Sequence, residues 1–133
     1  MHPMAKTMNE ETYKINVEVT PNYIEEQSSP DQNHYVFSYT VTITNDGKMP
    51  ARLLTRHWII TDAMGETQEV KGDGVVGEQP YLKPGEGFQY TSGTMMKTAS
   101  GSMTGSYQML AEDGYHFEAS IPEFYLLAPT TLH

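Results

Sequence analysis

Cysteine is absent from this chain of 133 residues, which removes disulfides, thiolate nucleophiles and thiolate metal sites together. Basic side chains are scarce: 8 Lys and Arg stand against 17 Asp and Glu, a formal charge of −9. Phosphate backbones are held by clustered Lys and Arg, so this balance argues against nucleic acid as a partner. No apolar run approaches the roughly 18 residues of a membrane-spanning helix, and the opening Met1-His-Pro-Met-Ala-Lys-Thr-Met8 lacks the apolar stretch of about 7–15 residues in a secretory signal. A cytoplasmic protein with no membrane partner is expected. Helical patterning is missing as well, since no segment keeps a 3.6-residue apolar period over the roughly 10 residues a helix needs.

What is present is period-2 alternation. Ile15, Val17 and Val19 alternate with Lys14, Asn16 and Glu18, the pattern of a half-buried strand. In Tyr35 to Thr44, Tyr35, Phe37, Tyr39, Val41 and Ile43 share one face and Ser38, Thr40, Thr42 and Thr44 the other. Asn45-Asp46-Gly47 supplies a turn that tolerates positive φ, and the spacing predicts a hairpin into a third strand from Pro50 through Trp58, Ile59 and Ile60. Further strands are expected at Glu66 to Lys71, Phe88 to Thr94, Gly101 to Leu110 and Tyr115 to Ile121, the last two joined by Glu112-Asp113-Gly114. Proline lacks an N–H, so Ile121-Pro122 predicts a break in the ladder and a separate short edge strand, Phe124, Tyr125, Leu126 and Leu127. The total of about eight short strands gives an all-β fold, an immunoglobulin-like or fibronectin type III-like antiparallel β-sandwich with Trp58 in its core. Residues 11–133 are read as one domain, preceded by a loose N-terminal arm over 1–10.

These segments follow a familiar order. Tyr23-Ile24-Glu25, Ser28-Ser-Pro30, Tyr35-Val-Phe37, Tyr39-Thr-Val-Thr-Ile43 and Arg56-His-Trp-Ile-Ile-Thr-Asp62 are followed by Gly72-Asp-Gly-Val-Val-Gly-Glu-Gln-Pro80, Pro84-Gly-Glu86, Tyr90-Thr-Ser-Gly93, Met103-Thr-Gly-Ser-Tyr107 and Ile121-Pro122. With the closing Pro129 and Leu132-His133, the chain resembles the bacterial ApaG family over nearly everything after the arm. The resemblance implies a fibronectin type III-like sandwich and a family of unsettled molecular function, linked to cobalt resistance and magnesium efflux. Similar domains in eukaryotic F-box and polymerase-interacting proteins are read as interaction modules, which is fold-level analogy.

Gly72-Asp-Gly-Val-Val-Gly77 is a formal G-x-G-x-x-G, so Gly72, Gly74 and Gly77 form a candidate anion loop. The dinucleotide fingerprint needs its third glycine to open a helix. Here Pro80 and the Pro84-Gly85 turn make a helix improbable, and a turn demanding positive φ is the competing reading. The histidines His34, His57 and His116 have no partner at metal-ligand spacing, and no cofactor or metal site is expected. Asp62 with Glu66, and Glu112 with Asp113, read as turn formers. Ser28 and Ser29 have no nucleophile-elbow context, so they read as a loop, with a phosphate or peptide contact as the alternative. Met95, Met96, Met103 and Met109 fill a core or supply an adaptable binding face.

The residues therefore point to a non-enzymatic module that binds another protein through an exposed strand edge, Phe124 to Leu127, or through the loops at one end. A weak homodimer at that edge is part of the same expectation. A sensor of small anions or divalent cations is the alternative, and a hydrolase the third reading.

Overall fold

A computed structural model describes residues 11–129 of the chain. Eight strands account for most of them: β1 (Ile15–Tyr23), β2 (Tyr35–Asn45), β3 (Ala51–Asp62), β4 (Thr67–Asp73), β5 (Tyr81–Leu82), β6 (Gly87–Met96), β7 (Ser100–Ala111) and β8 (His116–Leu127). Two short 3-10 turns, Glu25–Gln27 and Pro30–Gln32, connect β1 to β2. All pairings are antiparallel. One sheet runs β1-β2-β6 and the other β4-β3-β7-β8, with β5 attached to β3, the two-layer arrangement of an immunoglobulin-like sandwich.

Alternation decides which side chains meet between the layers. Phe37, Tyr39, Val41 and Ile43 of β2 are buried together with Trp58 and Ile60 of β3, Tyr107 and Met109 of β7, and Ile121 and Leu126 of β8. Trp58 is the hub of the aromatic packing. It meets Tyr39 edge-on at 5.2 Å between ring centroids, Phe124 at 5.9 Å and Tyr107 at 6.4 Å. Such pairs add about 0.5–1.5 kcal/mol each beyond area burial. Of the four methionines singled out above, Met96, Met103 and Met109 fill the core and Met95 is exposed.

The hairpin expected at Asn45-Asp46-Gly47 does not form. β2 pairs with β1 and β6, while β3 pairs with β4, β5 and β7, so residues 46–50 carry the chain from one sheet to the other. The cause is Asn45, the one buried polar or charged residue of the core among the described residues. Its side-chain amide donates to the Met49 carbonyl at 3.0 Å and the Leu82 carbonyl at 2.9 Å, and its oxygen accepts from the Gly47 N–H at 2.8 Å. Its backbone is taken as well, by Glu86 and Gly85. The Asp46, Lys48 and Met49 N–H groups are taken by the Lys14 and Thr12 carbonyls, so none of them closes a hairpin.

The separate C-terminal edge strand is also corrected. β8 is continuous from His116 to Leu127. Met103 faces Phe124 and Gly105 faces Ile121, so Pro122 and Glu123 together oppose Thr104. This bulge absorbs the proline without ending the ladder, and the Thr104 hydroxyl donates to the Ile121 carbonyl at 3.1 Å. The arm over 1–10 lies outside the described residues.

Replacing Asn45 with Ala would strand the Met49 and Leu82 carbonyls in the core. A loss of about 1–3 kcal/mol for each unsatisfied group is expected in urea unfolding, and a change within about 0.5 kcal/mol would show that the crossover does not depend on this side chain.

Candidate functional site

A sandwich of two open sheets has two flanks, and in this protein they differ. On one flank β1 packs beside β8. On the other, β4 and β6 stand apart, and cavities lie between them. One, of about 360 Å³, is lined by Tyr39, Arg56, Trp58, Gln68, Ser92 and Met95 among others. A neighbour of about 290 Å³ shares Tyr39, Arg56, Trp58 and Ser92 and reaches Val76 and Gly77. Together they form one cleft with Arg56 at its middle.

Arg56 points inward because of a local irregularity. The β3–β7 register shifts between Leu53 and Thr55, and past this bulge Arg56, Trp58 and Ile60 share the core-facing side. The guanidinium then crosses β4 above Gly72, its register partner. A Cβ on Gly72 would sit 2.8 Å from the guanidinium carbon, so any other residue there would push the guanidinium off this path. Arg56 Nη1 donates to the Asp73 carbonyl at 2.9 Å and the Gly74 carbonyl at 2.8 Å.

Tyr39 and Tyr90 line the cleft, and Tyr107 is buried behind them. The Tyr90 and Tyr107 hydroxyls share a hydrogen bond of 2.5 Å. Burial pushes the Tyr90 pKa up to about 12, against a partial lowering by the bond to Tyr107, and burial raises Tyr107 further still. Burial likewise raises Tyr39, with the Ser92 hydroxyl and the Arg56 charge beside it pulling part of the way back.

The glycine motif closes one end of this cleft as a hairpin. No helix follows it. Val75 and Glu78 exchange backbone hydrogen bonds of 2.8 and 2.9 Å, and the two residues between them, Val76 and Gly77, have φ of 44° and 82°, a mirror-image two-residue turn. Gly74 at φ 62° precedes it. The three glycines therefore serve turn geometry and the Arg56 passage, and the dinucleotide-type context is absent.

The remaining sequence candidates are dispersed. His57 lies on the outer face of its sheet, 2.5 Å from a Glu69 carboxylate oxygen. Asp73, Glu78 and a histidine do not come together, and among the described residues no group of three or more His, Asp or Glu is placed to hold a metal ion. Asp62 Oδ1 accepts from the Met64 and Glu66 N–H groups at 2.9 and 3.0 Å, as a turn former does. Ser28 donates to the Ile24 carbonyl and accepts from the Val36 N–H, at 2.7 and 2.9 Å, which fixes the loop and occupies the hydroxyl. At the C-terminal edge Phe124 and Leu126 turn into the core, whereas Tyr125 and Leu127 are 60% and 66% exposed. Arg56 was missed by sequence reasoning, although its two-residue spacing from Trp58 and Ile60 carried the signal.

Comparison with known proteins places this architecture. A family model described as the ApaG domain matches residues 25–111. Protein ApaG of Dechloromonas aromatica is 60% identical over 121 residues, which are 91% of this chain and 95% of that protein. Protein ApaG of Pseudomonas aeruginosa is 56% identical over 126 residues, 95% of this chain and all of the relative. Among solved structures, the putative ApaA protein from Bordetella pertussis superposes with a TM-score of 0.88 at 53% identity, covering 91% of this chain and 98% of the other.

Two outcomes follow for the cleft. A Cβ on Gly74 would meet the Glu78 carbonyl oxygen at 2.2 Å, so Gly74→Val should lower stability by about 1–3 kcal/mol; an unchanged melting temperature would refute the turn assignment. The phenols make stability fall with alkali. A phenol whose folded-state pKa is above its ordinary 10.0 holds its proton more tightly when folded, so its contribution is complete below pH 10 and is lost as the pH rises toward 12. Urea midpoints should decline over that window, and phenolate absorbance from these tyrosines should appear only as the chain unfolds. Early titration at unchanged stability would contradict their burial.

Proposed function

The chain belongs to the ApaG domain family, and from that premise we propose that it is a non-enzymatic binding module that accepts an extended segment of another protein as an added strand on β6. The observation that carries this reading is the bareness of that edge. Exposed sheet edges are ordinarily guarded by charges, prolines or bulges. β1 has Glu18 and Pro21, β4 has Glu69, Lys71 and Asp73, and β8 has Glu118, Pro122, Glu123 and its bulge. β6 has none of these: Gly87-Phe-Gln-Tyr-Thr-Ser-Gly-Thr-Met-Met96 runs ten residues without a charge or a proline, in unbroken register with β2.

Its far side faces the cleft, so an incoming strand gains main-chain hydrogen bonds and apolar contact together. Met95, 45% exposed, and Val76, 55% exposed, flank the entrance. The formal charge of −9 disfavours a second copy and favours a neutral or basic partner. The family's link to cobalt resistance and magnesium efflux is served, in this reading, by the partner and not by a metal held on this chain.

A second reading places the partner, or a weak homodimer, on the C-terminal edge, favoured by the exposure of Tyr125 beside Leu127. One experiment separates the two. A photo-crosslinking residue at Thr91 or at Tyr125 is introduced into the full chain, the captured segment is sequenced, and its synthetic peptide is titrated against the unlabelled protein. Saturable binding of a Thr91-captured peptide, with protection of β6 amides from exchange, is expected. Capture from position 125 alone would move the site to β8, and capture from neither would remove the module reading.

A further inference from the structure

A charge on the core-facing side of a strand calls for compensation, and Arg56, half-buried, sits on that side between the sheets. In the larger cavity it is the sole charged side chain of the lining, among Tyr39, Trp58, Val70, Ser92, Met95 and their neighbours. Its bonds use Nη1 alone, to two backbone carbonyls. Among the described residues no partner is found for Nε or Nη2, and no carboxylate pairs with Arg56. A guanidinium with one edge spent and the other free, at the middle of an apolar and hydroxyl-lined cleft, presents a fork suited to a planar anion.

We propose that the cleft between β4 and β6 binds a carboxylate carried by the docked segment, next to an apolar residue, with Arg56 Nε and Nη2 as the paired donors. The inference rests on the strand-addition reading for the origin of the carboxylate, but the site can be tested without any partner. A monoanion is favoured over a phosphate by the count of charges. One cation faces the ligand, Asp73 lines the adjoining cavity, and the whole chain carries −9, so a dianion would meet net repulsion. The apolar neighbour follows from the walls: Trp58, Ile60, Val70, Met95 and Met103 line the same space. The carboxylate comes from an acidic side chain or from a chain terminus, and the two share the same chemistry at Arg56.

Trp58 is the only tryptophan of the chain and lines both cavities, so its emission reports occupancy of the cleft. The native chain is titrated with N-acetylleucine (a terminal carboxylate), N-acetyl-leucyl-glutamic acid α-amide (a side-chain carboxylate), the neutral N-acetylleucinamide and inorganic phosphate, while Trp58 emission and the Arg56 Nε–H resonance are followed. Saturable shifts of both signals with either carboxylate are expected at a dissociation constant on the order of 1 mM, with no saturable response to the amide or to phosphate. The two carboxylate arms tell which source is preferred. Arg56→Lys should weaken the response on the order of tenfold, since one charged hydrogen bond is lost. Because Arg56 also holds the glycine hairpin, Ser92→Glu supplies a variant that keeps the guanidinium: its own carboxylate should occupy Arg56, abolish probe binding and leave melting unchanged or raised. Equal response to acid and amide, an unmoved Nε–H resonance, or preference for phosphate would overturn the carboxylate site. Peptide captured at β6 with an unmoved Arg56 would overturn this inference alone and leave the strand-addition reading standing.

Discussion

The buried amide of Asn45 is the constraint on which the rest of the arrangement depends. A polar side chain inside a sandwich is tolerated only when each of its hydrogen-bonding groups is met, and Asn45 meets its own with Met49, Leu82 and Gly47. Those three partners belong to the crossover and to β5, so satisfying one side chain also decides where the chain leaves its first sheet. With β2 and β3 assigned to different layers, β3 takes β7 as its neighbour and Trp58 comes to face Tyr39 across the core. A hairpin at the same turn would have put both strands in one sheet.

The asymmetry of the two flanks follows from this division. β1 and β8 approach each other on one side, which leaves β4 and β6 as edges separated by a cleft. The glycine hairpin caps its mouth, and Arg56 ties that hairpin down through two carbonyls. The role of the glycines is steric in this chain: Gly72 yields space for a guanidinium, and Gly74 adopts a backbone that a side chain would drive into Glu78. Backbone and arginine thus form one unit, in which a motif formally suited to phosphate instead positions a cation between two sheets.

Much of this was legible in the residues. Period-2 alternation and the turn residues between segments located seven of the strands and most of the core, because the pleat sends neighbouring side chains to opposite faces whatever the topology. What alternation does not encode is which strand lies beside which. Asn45-Asp46-Gly47 has the composition of a hairpin turn, and only the distant Leu82 carbonyl makes it a crossover. Pro122 reads as a break because the bulge that accommodates it involves Thr104 on another strand. The two-residue β5 is too short for any period to show. Arg56 was hidden for a related reason: a bulge at Leu54 resets the alternation, so a residue that composition assigns to solvent turns toward the core. The uncharged run of β6 was visible throughout, but it gained meaning only once β6 was known to be an edge.

That bare edge also fixes how the protein resists sticking to itself. An edge lysine guards its strand through the cost of burying its own charge, whereas β6 carries no charge and repulsion between copies rests on the net charge of −9 of the whole chain. A diffuse field is only as long as the Debye length, about 10 Å at 0.1 M ionic strength and about 3 Å at 1 M. The colloidal stability of this sandwich is therefore a property of its solution as much as of its sequence: concentrated salt strips the shield from a ten-residue template while the apolar core stays packed.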